Sequence, residues 1–252
     1  MRSFIVGCLT LLVMSGCSAT VSDDTVTLLP LPREVVWNKG VFDSRSVSIS
    51  GDFSVTGAVR EWLEESGIES SGMASAVVEV ALVDRIDRAA VNQDEAYRLI
   101  VAPKSIRVEA VSENGVFWAV QTLRQLDERQ GPGVRIPCCD ITDWPAFKIR
   151  GFMHDTGRSF ISPEELKHEI EILSRYKINT FHWHLTENQA WRLESKIYPR
   201  INSPEVTTRY PGCFYTQDQV RDILDFCKRH HVLVIPEIDM PGHSAAFTRT
   251  FG

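Results

Sequence analysis

The sequence predicts an α/β protein in two parts: a small α+β domain over residues 26–145, then βα units over residues 146–252. Short β-branched runs separated by helical patterns fill the first part. In the second part strand and helix alternate regularly, which argues for a parallel sheet. Both helices of that second part open on the same capping signature.

In the first part, VVEVALV (77–83), YRLIVA (97–102) and SIRVEAV (105–111) have the β-branched and apolar content of strands. VREWLEESG and NGVFWAVQTLRQLDER read as helices. In the second of these, Val116, Ala119, Val120, Leu123 and Leu126 fall on one apolar stripe at helical spacing. No polar groups gather here for chemistry. Asp94-Glu95 reads as a solvated turn, and Glu64-Glu65 as helix surface.

DITDWP (140–145) marks the boundary, with turn residues closed by a proline. FKIRGFMHD is then a first strand. Ser162-Pro163-Glu164-Glu165 starts a helix with Ser at the N-cap, Pro at N1 and Glu at N3, and Leu166, Ile170 and Leu173 form its apolar face. NTFHWHLT is a second strand. Thr216-Gln217-Asp218-Gln219 opens the next helix, with Val220, Ile223, Leu224 and Cys227 expected inward. HVLVIPEID is a third strand, a continuous apolar run expected to be buried on both faces. The pattern alone leaves a doubly wound sheet and a (β/α)8 barrel both open. The absence of GxGxxG or GxxxxGK[ST] counts against a nucleotide-binding doubly wound fold.

The N-terminus reads as a targeting segment. MRSFIVGCLTLLVMSGC (1–17) has Arg2 as its positive region, Phe4 to Met14 as its apolar run and Ser15-Gly16 as a small-residue cleavage site. The apolar run is too short for a bilayer, which needs ~20 residues. Met-Ser-Gly-Cys resembles a bacterial lipobox, which implies cleavage before Cys17 and a lipid on its thiol. Residues 18–25 then form a tether. The expectation is an exported, membrane-anchored lipoprotein, periplasmic or cell-surface, with plain secretion as the alternative. A formal charge of -6 leaves no basic surplus, so nucleic acid is not expected as a partner. Cys138-Cys139, Cys213 and Cys227 show neither zinc spacing nor a disulfide framework.

Each strand of the second part runs out into polar residues. The first leads to His154, Asp155 and Arg158, the second to His182, His184, Glu187 and Asn188, the third to Glu237, Asp239 and His243. In a (β/α)8 barrel the strand C-termini build the active site. A metal hydrolase would use His182, His184 and Asp239 as ligands, since alternate strand residues point the same way. A carbohydrate enzyme would use Arg158 as a planar fork for two hydroxyls. Trp183 or Trp191 would then lie under a sugar ring, core packing being the stronger reading for Trp191, and Glu187 with His243 would form a carboxylate–imidazole pair. A recognition surface without chemistry is the third reading.

RGFMHDTGRSFISPEELKHEIEILSRYKINTFHWHLTENQAWRLESKIYPRI and GCFYTQDQVRDILDFCKRHHVLVIPEIDMPGHSAAF resemble the glycoside hydrolase family 20 β-N-acetylhexosaminidases. Upstream, LLPLPREVVWNKGVF and EAYRLIVAPKSIRVEA resemble the small α+β domain that precedes the barrel in that family. The resemblance implies the first about three βα units of a TIM barrel. It implies hydrolysis of terminal non-reducing N-acetylglucosamine or N-acetylgalactosamine from glycans. It further implies retention of configuration, the substrate's own acetamido oxygen acting as nucleophile, with no cofactor and no metal.

By the same resemblance Arg158 binds the sugar hydroxyls. Glu187 stands where many members have Asp, and His243 couples it to the catalytic acid. Asp155, His184 and Asp239 line the site wall, and His182 is structural. The family's catalytic Asp-Glu pair lies at the end of the fourth strand, whereas this sequence reaches Gly252 just after the third. Asp94-Glu95, in the preceding domain, cannot substitute. The expectation is therefore an N-terminal fragment, inactive alone, with a non-catalytic glycan-binding lipoprotein as the alternative.

Overall fold

The structure is a computed structural model that describes residues 26–252. The leader, Cys17 and the tether 18–25 lie outside the described residues.

The first sheet is built from β1 (Glu34–Ser44), β2 (Ser46–Gly51), β3 (Glu69–Ser70), β4 (Val77–Leu82), β5 (Tyr97–Ala102), β6 (Ser105–Ala110) and β7 (Val134–Asp143). Helices α1 (Gly57–Glu65) and α2 (Glu113–Leu126) cover it. Strand order is β1-β7-β5-β6-β4-β2-β3, antiparallel from β1 to β6 and parallel from β6 onward. Residues along β4 to β7 alternate between buried and accessible, so one face meets the helices. The predicted stripe of α2 is fully buried in that core, where each aliphatic side chain contributes roughly 1.5–3 kcal/mol relative to exposure.

The second sheet is parallel, in the order β10-β9-β8, and comprises β8 (Gly151–Asp155), β9 (Thr180–His184) and β10 (Leu233–Glu237). Crossovers run through α3 (Pro163–Arg175) and α4 (Gln217–Arg229), and a short helix α5 (Ala245–Phe251) follows β10. Both expected capping boxes form. Ser162 Oγ accepts from Glu165 N while Glu165 accepts from Ser162 N, and Thr216 with Gln219 does the same. Phe181 and Trp183 of β9 pack with Leu166, Ile170, Ile223 and Cys227 in one core. Alternation therefore turns Asp155, His184 and Glu237 to the other face, where the register sets them side by side.

Three expectations for the second sheet and its helices are corrected. The third strand is not buried on both faces: Leu233 is 65% and Ile235 43% exposed. β10 pairs only with β9, and α4 covers just one of its faces. Leu224 also points outward, because the buried arc of α4 is centred on Ile223 and Cys227. The first strand begins at Gly151 rather than Phe147, and the side chain of Arg150 just before it reaches Glu95.

That same contact overturns the reading of Glu95. Its carboxylate is buried and takes Nη1 and Nη2 of Arg150 at 3.2 and 2.5 Å. A second buried pair lies beside it. Lys177 Nζ donates to Asp143 at 2.8 Å and to the Tyr97 hydroxyl at 2.9 Å. Burial pushes the Lys177 ammonium down from its ordinary pKa, and Asp143 opposes that shift.

Lys177 follows α3 at φ +62°, and His231 follows α4 at φ +54°. Helices commonly close with a left-handed residue, usually glycine. Here both side chains are used instead. Lys177 reaches Asp143, and His231 Nδ1 lies 2.7 Å from Asn114 with its ring 4.4 Å from that of Phe117. The first sheet and its helices thus dock where α3 and α4 turn back into strands, opposite the polar strand ends.

Candidate active site

At the end of β8 the chain turns tightly. Asp155 Oδ1 accepts from Arg158 N at 2.9 Å, and its Oδ2 takes Arg158 Nη1 at 2.8 Å. Asp155 thus fixes both the backbone and the guanidinium of Arg158. Glu187 sits in the turn after β9, which the Thr186–Trp191 bridge closes. Its buried carboxylate takes Arg158 Nη2 at 2.9 Å and lies 2.6 Å from His243 Nδ1. Arg158 Nη2 is also 3.3 Å from that ring nitrogen. The ionised Glu187 carboxylate can only accept, so Nδ1–H of His243 donates to it and the 3.3 Å approach of Arg158 is not a hydrogen bond to that nitrogen.

The electrostatics follow. Burial pushes Glu187 up, but His243, the Asn188 N–H and Arg158 together outweigh it and hold the carboxyl below its ordinary pKa. The hydrogen bond and charge of Glu187 hold the His243 imidazole above its own. Gly157 makes room for this arrangement. A Cβ there would stand 2.7 Å from Glu187 Cβ, a separation real side chains do not adopt.

Behind this group His184 is buried. Its Nδ1 is 3.5 Å from Asp155, and its Nε2 lies 3.6 Å from Asp239 and 3.9 Å from Glu237 without a hydrogen-bond partner. His184, Glu237 and Asp239 offer three ligand atoms within 4.8 Å of one another, the set among the described residues that could hold a metal. This differs from the trio that a metal hydrolase would use by the sequence reading, His182, His184 and Asp239. His182 is taken instead by Glu237, at 2.6 Å from Nε2.

Asp155, Arg158, His184, Glu187, Asp239 and His243 therefore converge at one end of the sheet. His154 does not join them. It faces α3, 2.8 Å from Glu169, because alternate residues of β8 point to opposite faces. Trp183 is no sugar platform. It is core, its Nε1 donating to Thr156 Oγ1 at 3.1 Å. Asn188 accepts from Ala245 N at the start of α5. Two contributors went unseen in the sequence, Gly157 and the buried Arg192 behind the Arg158 turn, because their partners are a side chain's Cβ and backbone carbonyls.

Residues 25–144 match the family description "Glycosyl hydrolase family 20, domain 2", and residues 147–251 match "Glycosyl hydrolase family 20, catalytic domain". The chain belongs to glycoside hydrolase family 20. This family 20 chain is 34% identical over 247 residues to a beta-hexosaminidase of Porphyromonas gingivalis, covering 89% of itself and 31% of that protein. It is 35% identical to the beta-hexosaminidase of Vibrio furnissii, covering 88% of itself and 39% of that protein.

A GH20 exo beta-N-acetylglucosaminidase from Vibrio harveyi, solved with N-acetylglucosamine, superposes with a TM-score of 0.76 at 30% identity. That match covers 88% of the family 20 chain and 37% of the other. The beta-N-acetylhexosaminidase of Bacteroides fragilis gives the same TM-score and identity over 90% and 48%. The chain thus spans about a third of the first curated relatives it matches. Its fold is domain 2 followed by the start of the catalytic TIM barrel, which removes the doubly wound alternative.

Proposed function

We propose that the protein carrying this sequence is an exported β-N-acetylhexosaminidase that removes terminal non-reducing N-acetylglucosamine or N-acetylgalactosamine from glycans. One observation carries the reading. Arg158 is pinned on one side by Asp155 and Glu187, yet its side chain remains 45% exposed, and its Nε–H and a second Nη1–H have no partner among the described residues. Donors left over on an immobilised, half-exposed guanidinium at the strand ends are the chemistry that takes sugar hydroxyls.

In this reading residues 26–252 supply the sugar-holding and proton-managing wall of the site. Arg158 orients the terminal sugar. Glu187 fixes His243 in one tautomer, so that Nε2 faces the position of a neighbouring acid. Cleavage proceeds with retention, the substrate's acetamido oxygen attacking the anomeric carbon while a protein carboxylic acid protonates the leaving oxygen. That acid and the carboxylate steering the acetamido group are not among the strand-end groups here. We place them in the part of the family fold that this chain does not span. The lipobox-like leader supports a membrane-anchored lipoprotein facing outward, and no cofactor enters the scheme.

Titration of N-acetylglucosamine into the wild-type chain and into Arg158→Ala tests the sugar site. Saturable binding lost in the variant supports it. Equal binding by both, or none by either, overturns it. Binding by a protein whose complete reading frame shows no hydrolysis would favour the glycan-binding alternative.

A further inference from the structure

Arg192 is fully buried, and its partners are unusual. Nε donates to Thr156 O at 2.9 Å, and Nη2 to Gly157 O at 3.2 Å and Arg209 O at 2.9 Å. Nη1 donates to Tyr210 O at 3.2 Å and Cys213 O at 2.6 Å. All five donors of the guanidinium therefore end on backbone carbonyls, with no carboxylate among them. The Phe160 and Tyr210 rings lie 5.5 and 5.9 Å from its central carbon. Its own backbone is locked as well, donating to Leu185 O and accepting from Tyr215 N. Burial lowers its pKa from the ordinary arginine value. For stability alone, apolar side chains often serve as well as buried charge. Five fixed carbonyls are a job that only this fork performs.

Thr156 and Gly157 are the two residues that lead into Arg158. Their N–H groups both donate to His184 O, at 3.1 and 3.3 Å, and their carbonyls both go to Arg192. The two peptide planes are therefore held on both edges. The Asp155 and Glu187 contacts orient the guanidinium, but the Arg158 side chain itself is half-exposed and starts from this backbone. The backbone beneath it is what can be held firmly.

We propose that Arg192 is a positioning residue for Arg158. It clamps the Thr156–Gly157 carbonyls to the 209–213 segment and so sets where the Arg158 fork meets the sugar. This rests on the sugar-binding reading of Arg158. Misplacing such a group by about 1 Å costs up to ~100-fold in related settings.

The test compares Arg192→Lys with wild type, measuring N-acetylglucosamine affinity at a temperature where each protein is fully folded. Lysine keeps the charge but has three donors and no fork. The expected result is affinity about tenfold weaker per folded molecule. Ile106→Val, in the core of the first sheet, serves as a control that lowers the melting temperature and leaves affinity unchanged. If Arg192→Lys does not fold, Phe160→Leu loosens the same guanidinium without removing it and is expected to weaken binding in the same direction. Wild-type affinity in the folded variant, whatever its melting temperature, would overturn the clamp and leave the sugar reading standing. No binding by wild type would overturn the sugar reading, and the clamp with it.

Discussion

His243 Nδ1 lies 2.6 Å from Oε2 of Glu187, and Arg158 Nη2 lies 2.9 Å from the other oxygen of the same carboxylate. One buried carboxylate thus sets the tautomer of a histidine and the aim of an arginine. The side chain is a glutamate where the family resemblance leads one to expect aspartate in many members. Glycine at residue 157 leaves room for the Cβ of Glu187, which a side chain there would meet at 2.7 Å.

The first prediction concerns that pair. The folded pKa of His243 is raised, so its contribution to stability is full below the ordinary value of 6.5 and is lost as pH rises through the folded value. The folded pKa of Glu187 is lowered, so its contribution is full above 4.5 and is lost as pH falls through the folded value. The pair is therefore worth most between 4.5 and 6.5. An NMR titration should place His243 above 6.5 in the wild type and lower in Glu187→Gln. An unchanged His243 titration in the variant would refute the pairing.

Gly157→Ala should be destabilising even though it adds one methyl group. The new Cβ meets Glu187 Cβ at 2.7 Å, and overpacking of this kind costs about 1–3 kcal/mol. Denaturant unfolding measures it. A loss under ~0.5 kcal/mol, the scatter of surface substitutions, would mean the turn is looser than described.

Lys177→Met should cost about 3–5 kcal/mol, because it leaves Asp143 buried without its partner. The left-handed backbone at residue 177 adds no relief, since methionine tolerates φ +62° no better than lysine. Equilibrium unfolding of variant against wild type decides this. Near-neutral stability would show that the ion pair is dispensable to the docking of the two sheets.

His231 should make that docking acid-sensitive. Burial lowers its folded pKa below the ordinary 6.5. The unfolded chain therefore binds the proton more readily, and stability is full above 6.5 and falls as pH drops toward the folded value. His231→Gln should flatten stability against pH across that range. A variant with the wild-type pH profile would assign the acid sensitivity elsewhere.

The sequence announced what local chemistry controls. Ser162 and Thr216 signalled their helices because a capping box lies within four residues of chain. Asp155, His184 and Asp239 signalled a common end because strand residues alternate. What depended on distant partners was hidden. Glu95 looked solvated beside Asp94, and nothing local revealed Arg150 waiting 55 positions on. Arg192 drew no notice in the sequence, since carbonyl acceptors leave no trace in residue identity. The apolar run of β10 was legible, but its burial depended on neighbours that no run of residues specifies.

We propose above that residues 26–252 form the sugar-holding wall of a retaining β-N-acetylhexosaminidase. The most direct test of that proposal is hydrolysis of an aryl N-acetyl-β-glucosaminide by the protein expressed from its complete reading frame, with the product anomer followed by NMR. The β-anomer should be released first, and Arg158→Ala should lower kcat/KM at least about 100-fold, since that loss includes both binding and orientation. First release of the α-anomer, or turnover indifferent to Arg158, would contradict it.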